Sequence, residues 1–210
     1  MNKIDNNIEA VIFDLGGVIL DIDLEKIKNG FEILGFEKLD ESFQLFKHNR
    51  IFEKFEKGTI SPQVFRNEIR KACPHAFSDS RFDQVWNSIL IKFPKENIEL
   101  LKNLKSRYRT FLLSNTNEIH YNYYTKMLYD NFGIENLNVL FEKAYYSHRS
   151  KMRKPDKAFY ELVVKENNLN KEKTLFIDDF PENIEAAQKI GLQTIHLNGF
   201  KLTEVFSNIK

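Results

Sequence analysis

Cysteine is nearly absent: Cys73 is the one thiol in 210 residues, so no internal disulfide can form. A chain of that kind fits a reducing compartment. Charge of one sign is lacking too, since 31 Lys and Arg against 30 Asp and Glu leave a formal net charge of +1. Nucleic acid and anionic membranes select for a clear basic excess, so neither is expected as a partner. No apolar run approaches the ~20 residues of a membrane-spanning helix. The stretch Met1 to Glu9 is polar, without an apolar signal-peptide core. Internal repeats and low-complexity segments are missing as well. The expectation is a soluble cytoplasmic protein, monomer or homodimer. What is present, 42% hydrophobic and 29% charged residues, suffices for one substantial core or one core carrying an insert.

Three short apolar runs end in polar residues: Glu9 to Asp14, Thr110 to Ser114 and Thr174 to Asp178. Each reads as a buried parallel strand. Phe141 to Tyr145 and Gln193 to Leu197 are weaker candidates. Between them lie helical spacings: Ile98, Leu101, Leu104 and Tyr108; Phe159, Leu162 and Val163; Ile184, Ala187 and Ile190. Pro155 and Pro181 sit where a first helical turn accepts proline. Strand and helix in alternation predict an α/β fold with a parallel sheet, whose ligands collect at the carboxyl ends of the strands. Asp14, Ser114 and Asp178 would project there.

Residues 22–93 break the alternation. Leu24, Ile27, Phe31 and Leu34 mark one amphipathic helix, and Trp86, Ile89, Leu90 and Phe93 another. Ser42 to Lys57 and Pro62 to Ala72 are helical as well, separated by Gly58 to Ser61 as turn and N-cap. This block predicts a helical insertion between a core of residues 1–21 and 94–210.

Four strand-end sites carry chemistry. Asp14, followed by Gly16-Gly17, suits a nucleophile, a metal ligand or a helix cap, and the glycines let backbone N–H groups approach an anion. Ser114-Asn115-Thr116 offers hydroxyl, amide and backbone donors to a phosphate, or an N-cap. Lys154, before Pro155-Asp156, could neutralise a phosphate, hold an aspartate, or be merely solvated. Asp178-Asp179 places like charges side by side, which a cation would relieve; magnesium prefers one or two carboxylates with waters and phosphate oxygens. Asn183, one turn on, could orient Asp179.

Together, Phe13-Asp14-Leu15-Gly16-Gly17-Val18, Leu113-Ser114-Asn115-Thr116, Arg153-Lys154-Pro155-Asp156 and Ile177-Asp178-Asp179 resemble the haloacid dehalogenase superfamily. The likeness is greatest to the phosphatase branch that includes bacterial glucose-1-phosphatases and the N-terminal phosphatase domain of epoxide hydrolases. That resemblance implies a Rossmann-like core with a helical cap that selects the substrate. It implies a magnesium-dependent phosphatase acting on a small phosphorylated metabolite, such as a sugar phosphate, through an aspartyl-phosphate. Asp14 would be the nucleophile, Ser114 and the Asn115 backbone would hold the phosphate, and Lys154 would balance charge. Asp179, supported by Asp178, would bind Mg2+ with Asp14 and the Gly16 carbonyl.

The sequence departs from the superfamily pattern at Gly16, where most of its phosphatases carry a second aspartate that protonates the leaving oxygen. Such help is worth roughly a hundred- to ten-thousand-fold. Either the leaving group is good, or another acid (Asp21, Asp23, His120 or His148) substitutes, or the protein is a weakly active phosphate binder. A metal-independent 2-haloacid dehalogenase is the other reading, against which the doubled carboxylate counts. In the insert, His48, Asn49, Arg50 and Glu53 could meet a sugar's hydroxyls or form a solvated helix face. Phe52, Phe55 and Trp86 are expected in its core, and Cys73 at a helix end.

Overall fold

The computed structural model describes residues 4–36 and 39–207; residues 1–3 and 208–210, counted above with the core, lie outside them. The first half of the chain runs through β1 (Ala10–Phe13), β2 (Asp21–Ile22), α1 (Leu24–Ile33), α2 (Leu39–His48), α3 (Ile51–Glu56), α4 (Pro62–Arg70), α5 (Asp79–Trp86) and β3 (Leu90–Lys92). It continues with α6 (Lys95–Leu104), β4 (Arg109–Ser114), α7 (Glu118–Phe132), β5 (Lys143–Tyr146), α8 (Ser147–Ser150) and α9 (Lys157–Glu166). The last elements are β6 (Thr174–Asp178), α10 (Pro181–Lys189), β7 (Gln193–His196) and α11 (Leu202–Val205).

Five strands form one parallel sheet in the order β5-β4-β1-β6-β7. β1 is central, with Phe13 opposite Leu112 on one side and Ile177 on the other. Alternate side chains enter two different cores. Val11 and Phe13 pack with Leu112, Leu175 and Ile177 on one face, and Ala10 and Ile12 with Phe111, Leu113 and Phe176 on the other. Burial on both faces is why these strands read as unbroken apolar runs. Helices α6, α7 and α11 supply Leu101, Leu128 and Leu202 to the first core. Helices α9 and α10 supply Phe159, Val163 and Ala187 to the second. The chain leaves β1 toward β4 and later returns to its other side as β6, so the strand order reverses at β1. A crevice opens at such a point, outside the carboxyl ends.

Helices α1 to α5 lie between β2 and β3 and share a core rich in aromatics, Phe31, Phe36, Phe46, Phe55, Phe65, Phe82 and Trp86, into which Ile119 of α7 also packs. Phe55 stacks on Phe65 with centroids 4.1 Å apart. Gly30 permits the close crossing of α1 and α5, because a Cβ there would stand 2.5 Å from Val85 Cγ1. Asp23 caps α1 through the Glu25 N–H at 3.0 Å, and Ser61 caps α4 through Val64 at 3.2 Å.

Three local expectations are corrected. Ser42 to Lys57 is not one helix: Arg50, at φ 52°, separates α2 from α3. The spacing of Trp86, Ile89, Leu90 and Phe93 is not helical either. α5 ends at Trp86, and Leu90 opens β3, which pairs antiparallel with β2. The reason is tertiary: Trp86 belongs to the core of α1–α5, whereas Leu90 and Phe93 belong to the sheet core. Pro155 precedes Asp156, the N-cap of α9, and is outside the helix, while Pro181 does open α10. Among the described residues no helix is long and apolar enough to cross a membrane.

Candidate active site

Backbone pairing puts the strand-end residues in one place. The Asp14 N–H donates to Ile177 O at 2.9 Å, which continues the β1–β6 ladder by one residue and sets Asp14 beside Asp178. Carboxylate oxygens of Asp14, Asp178 and Asp179 all lie within 4.8 Å of one another. Lys154, buried to 1% exposure, enters this group from the loop after α8. Its Nζ lies 2.7 Å from Asp14 Oδ1 and donates to Asp178 Oδ2 at 2.6 Å.

The lysine is held at its backbone as well. Asn115 Nδ2 donates to Lys154 O at 2.9 Å and Asn115 Oδ1 accepts from Lys154 N at 2.8 Å. One amide side chain thus ties the end of β4 to the lysine loop.

The two neighbouring aspartates differ. Asp178 is fully buried: its Oδ1 accepts from Phe180 N–H and Asn183 Nδ2, and its Oδ2 from Lys154 and Asn183. Two lone pairs on each oxygen are thereby used. Asn183 was expected to orient Asp179; it binds Asp178 instead. Asp179 pairs with no cation among the described residues and lines the cavity. It lies against Gly17, where φ is +71° and a Cβ would stand 2.1 Å from Asp179 Oδ2. Gly17 is therefore required twice, for its backbone and for the space that Asp179 fills. Gly16 is under no such constraint, since a Cβ there would meet Ile22 at an ordinary 3.5 Å.

Burial pushes the Asp14 carboxyl up; Lys154 pulls it back, and the charges of Asp178 and Asp179 raise it again, to about 7. Asp179 is raised for the same reasons, burial first and then Asp178. Burial disfavours charge on Lys154, but Asp14 and Asp178 outweigh it and hold the ammonium above its usual range. Fully ionised, this group carries three negative charges against one positive, the imbalance expected of a site that takes up a cation.

A cavity of about 380 Å³ opens over the group, a size suited to a small metabolite. Asp14, Gly16, Asn115, Lys154 and Asp179 line its floor, and Ile22, Arg153, Phe180 and Glu182 stand around them. Ser114 ends β4 and is buried beneath that surface. The helical unit is tied to the lysine loop beside it. Arg153 Nε is 2.9 Å from Glu56 Oε2, Lys57 Nζ is 3.0 Å from Asp156 Oδ2, and the Lys151 ammonium donates to the Gly58 carbonyl. Arg153 stands in the Arg153-to-Asp156 motif with no role of its own there, and no sequence motif points to Phe180, Glu182 or Glu56. Only adjacency to Lys154 and Asp179 could have flagged the first two.

The candidates for a substitute acid are placed elsewhere. Asp21 lies in β2 and Asp23 caps α1; neither lines the cavity. His120 is half-buried, stacked on Trp86 at 5.1 Å between centroids, with Nε2 3.0 Å from Trp86 O and Nδ1 3.1 Å from Asn117 Nδ2. Burial lowers both His120 and His148 to about 4, so both are neutral at pH 7. Of the polar patch on the insert, Glu53 is taken by Arg50 at 2.6 Å and by Lys57 at 3.0 Å, the arrangement of a solvated helix face. Phe52, Phe55 and Trp86 pack in the core of α1–α5, and Cys73 follows α4 with its Sγ 3.4 Å from Leu34 O.

Comparison with known proteins matches this arrangement to relatives of similar length. The chain is 27% identical over 187 residues to a D-ribitol-5-phosphate phosphatase of Bacteroides thetaiotaomicron, covering 89% of this chain and 90% of that protein. It is 26% identical over 192 residues to the sesquiterpene phosphatase astK of Aspergillus oryzae, covering 90% and 89%. Among solved structures, the HAD family enzyme bt-2542 of Bacteroides thetaiotaomicron, in complex with magnesium and inorganic phosphate, superposes with a TM-score of 0.82 at 35% identity, covering 90% of this chain and 93% of that one. The family model of the haloacid dehalogenase-like hydrolases matches residues 8–191. With the parallel sheet, the switch at β1 and the strand-end carboxylates, the chain belongs to the haloacid dehalogenase-like hydrolases.

Proposed function

We propose that this protein is a magnesium-dependent phosphatase of small phosphorylated metabolites, working through an aspartyl-phosphate on Asp14. The observation that carries this reading is the charge at the cavity floor: three clustered carboxylates stand against one ammonium, which pairs with two of them, a deficit that one divalent ion offsets. The donor set suits magnesium, being all oxygen and open on the cavity side. Asp14, Asp179 and the Gly16 carbonyl would hold the ion, while Asp178, its oxygens engaged, acts by fixing Lys154. When bound, the ion supplies positive charge against the phosphoryl oxygens.

The other steps fall to the chain's own groups. A carboxylate oxygen of Asp14 attacks phosphorus, the ester P–O bond breaks, and the substrate alkoxide leaves and takes up a proton. Lys154, Ser114 and the Asn115 backbone hold the transferring oxygens, the lysine supplying charge that needs no reorganisation. Water then cleaves the acyl phosphate, releasing inorganic phosphate and restoring the carboxylate. With no acid at residue 16, esters of acidic alcohols are the faster substrates. The helical unit α1–α5 serves as the cap, joined to the lysine loop beside the cavity through Glu56 and Lys57.

Turnover of p-nitrophenyl phosphate and ribitol 5-phosphate tests the reading, with magnesium and with EDTA. Activity is expected only with the metal, and Asp14→Asn is expected to abolish it with an unchanged circular dichroism spectrum. Hydrolysis that persists in Asp14→Asn would overturn the nucleophile, and chloride release from a 2-chloro acid in EDTA would favour the dehalogenase reading.

A further inference from the structure

We infer that Arg153, held across the seam by Glu56, is a specificity-determining residue that binds a hydroxyl on the non-phosphate part of the substrate. This rests on the phosphatase reading and deepens it, by naming the class as phosphate monoesters of polyhydroxylated alcohols without a second anionic group.

The placement argues for it. Arg153 is adjacent to Lys154, whose ammonium grips Asp14, so its side chain starts beside the phosphoryl position and runs along the cavity wall. Its partner comes from the helical unit: Glu56 Oε2 lies 2.9 Å from Nε, and both side chains remain about a third exposed, at 31% and 30%. A guanidinium has five N–H donors in a fixed fork, and one carboxylate contact at Nε leaves donors for a ligand. A hydroxyl both accepts and donates, so it can accept a hydrogen bond from Arg153 and donate one to a carboxylate. Glu182 lines the same cavity. Glu56 already matches the guanidinium charge and Glu182 adds a negative one to the lining, which makes the cavity unfavourable for a carboxylate or a second phosphate. Ile22 and Phe180, the latter 49% exposed, offer apolar surface to the carbon chain between the hydroxyls.

The alternative is that the Arg153–Glu56 pair only fastens the helical unit to the core. The two roles separate by substrate. Kinetics on the magnesium-loaded protein would compare ribitol 5-phosphate with ethyl phosphate, which has no hydroxyl to bind. In Arg153→Ala the ratio of kcat/KM for the polyol ester over the ethyl ester is expected to fall about ten- to a hundredfold, carried by KM, the loss of one charge-assisted hydrogen bond. Arg153→Lys is expected to recover part of it. Glu56→Gln keeps a polar partner but frees the guanidinium charge, and is expected to raise kcat/KM for 3-phosphoglycerate relative to ribitol 5-phosphate. Equal losses on both esters in Arg153→Ala would make the pair a fastener and overturn the assignment, as would an unchanged ratio. Glu56→Gln with no shift toward the carboxylate ester would overturn Glu56 as the neutralising partner. A wild-type protein that hydrolyses none of these esters nor p-nitrophenyl phosphate would overturn the phosphatase reading itself, and the Arg153 assignment with it.

Discussion

Asp178 and Asp179 are neighbours in sequence with opposite duties in space. Asp178 is a buried anion whose bonds all run inward, to Lys154, Asn183 and the Phe180 N–H. Removing it leaves Lys154 with one carboxylate in place of two at a fully buried site. Asp178→Ala is expected to destabilise the fold by roughly 3–5 kcal/mol, the usual cost of breaking a buried pair. Asp179 faces the cavity and pairs with no cation among the described residues, so Asp179→Ala is expected to leave urea stability within about 1 kcal/mol while abolishing the magnesium-dependent rise in melting temperature. Equal destabilisation by the two variants would contradict the division. Gly16 gives a second residue-scale test. Its backbone is not in the left-handed region and a Cβ has room against Ile22, so Gly16→Asp is sterically admitted. If a missing acid limits the enzyme, that variant should speed ethyl phosphate more than p-nitrophenyl phosphate, by up to about a hundredfold. An equal effect on both would show that the leaving group is already protonated by another route.

At the scale of elements, the joint between α5 and α7 is built on a neutral histidine. Asn117 caps α7, accepting from the His120 N–H at 3.0 Å and from Trp86 Nε1 at 3.3 Å, and His120 stacks on that indole. Burial holds His120 at about 4 against an ordinary 6.5. A depressed histidine means that the unfolded chain binds the proton first. Between pH 6.5 and 4 the unfolded state therefore carries more protons, and stability, fully present above 6.5, falls as the pH is lowered. His148 behaves alike. Urea melts at pH 7.5 and 5 should show this loss, and His120→Gln should flatten the slope by one histidine's share. An unaltered slope would mean that His120 is protonated in the folded state. Elements of this kind were only partly legible. β1, β4 and β6 could be read because burial on both faces leaves an unbroken apolar run. β3 could not, because Trp86, Leu90 and Phe93 imitate a helical spacing while serving two separate cores. The break between α2 and α3 was hidden as well, since Arg50 carries its left-handed turn without a glycine.

On the scale of the whole molecule, two bodies of different construction meet along a seam of ion pairs and at the α5–α7 joint. The sheet is buried between two aliphatic-rich cores, the helical unit has an aromatic one, and Arg153 belongs both to the cavity lining and to the seam. The residues at the strand ends were visible in sequence because polar groups interrupt apolar runs there. The seam was not, because Glu56 and Arg153, or Lys57 and Asp156, are ordinary surface charges until the fold brings distant segments together. Gly58 is the residue on which that meeting turns. Its φ is +58°, and a Cβ would stand 2.2 Å from the His148 carbonyl oxygen, a backbone contact that cannot give way by rotating a side chain. Gly58→Ala should therefore strain the left-handed turn by about 1–2 kcal/mol and also push α3 away from the lysine loop. Gly58 is in none of the three cores, so circular dichroism should be unchanged. The seam should loosen, seen as faster proteolysis around residues 57–61 and as a higher KM for ribitol 5-phosphate. If cleavage and KM both stay at wild-type values, the helical unit is held by contacts other than this turn, and the α3 ion pairs follow its position rather than set it.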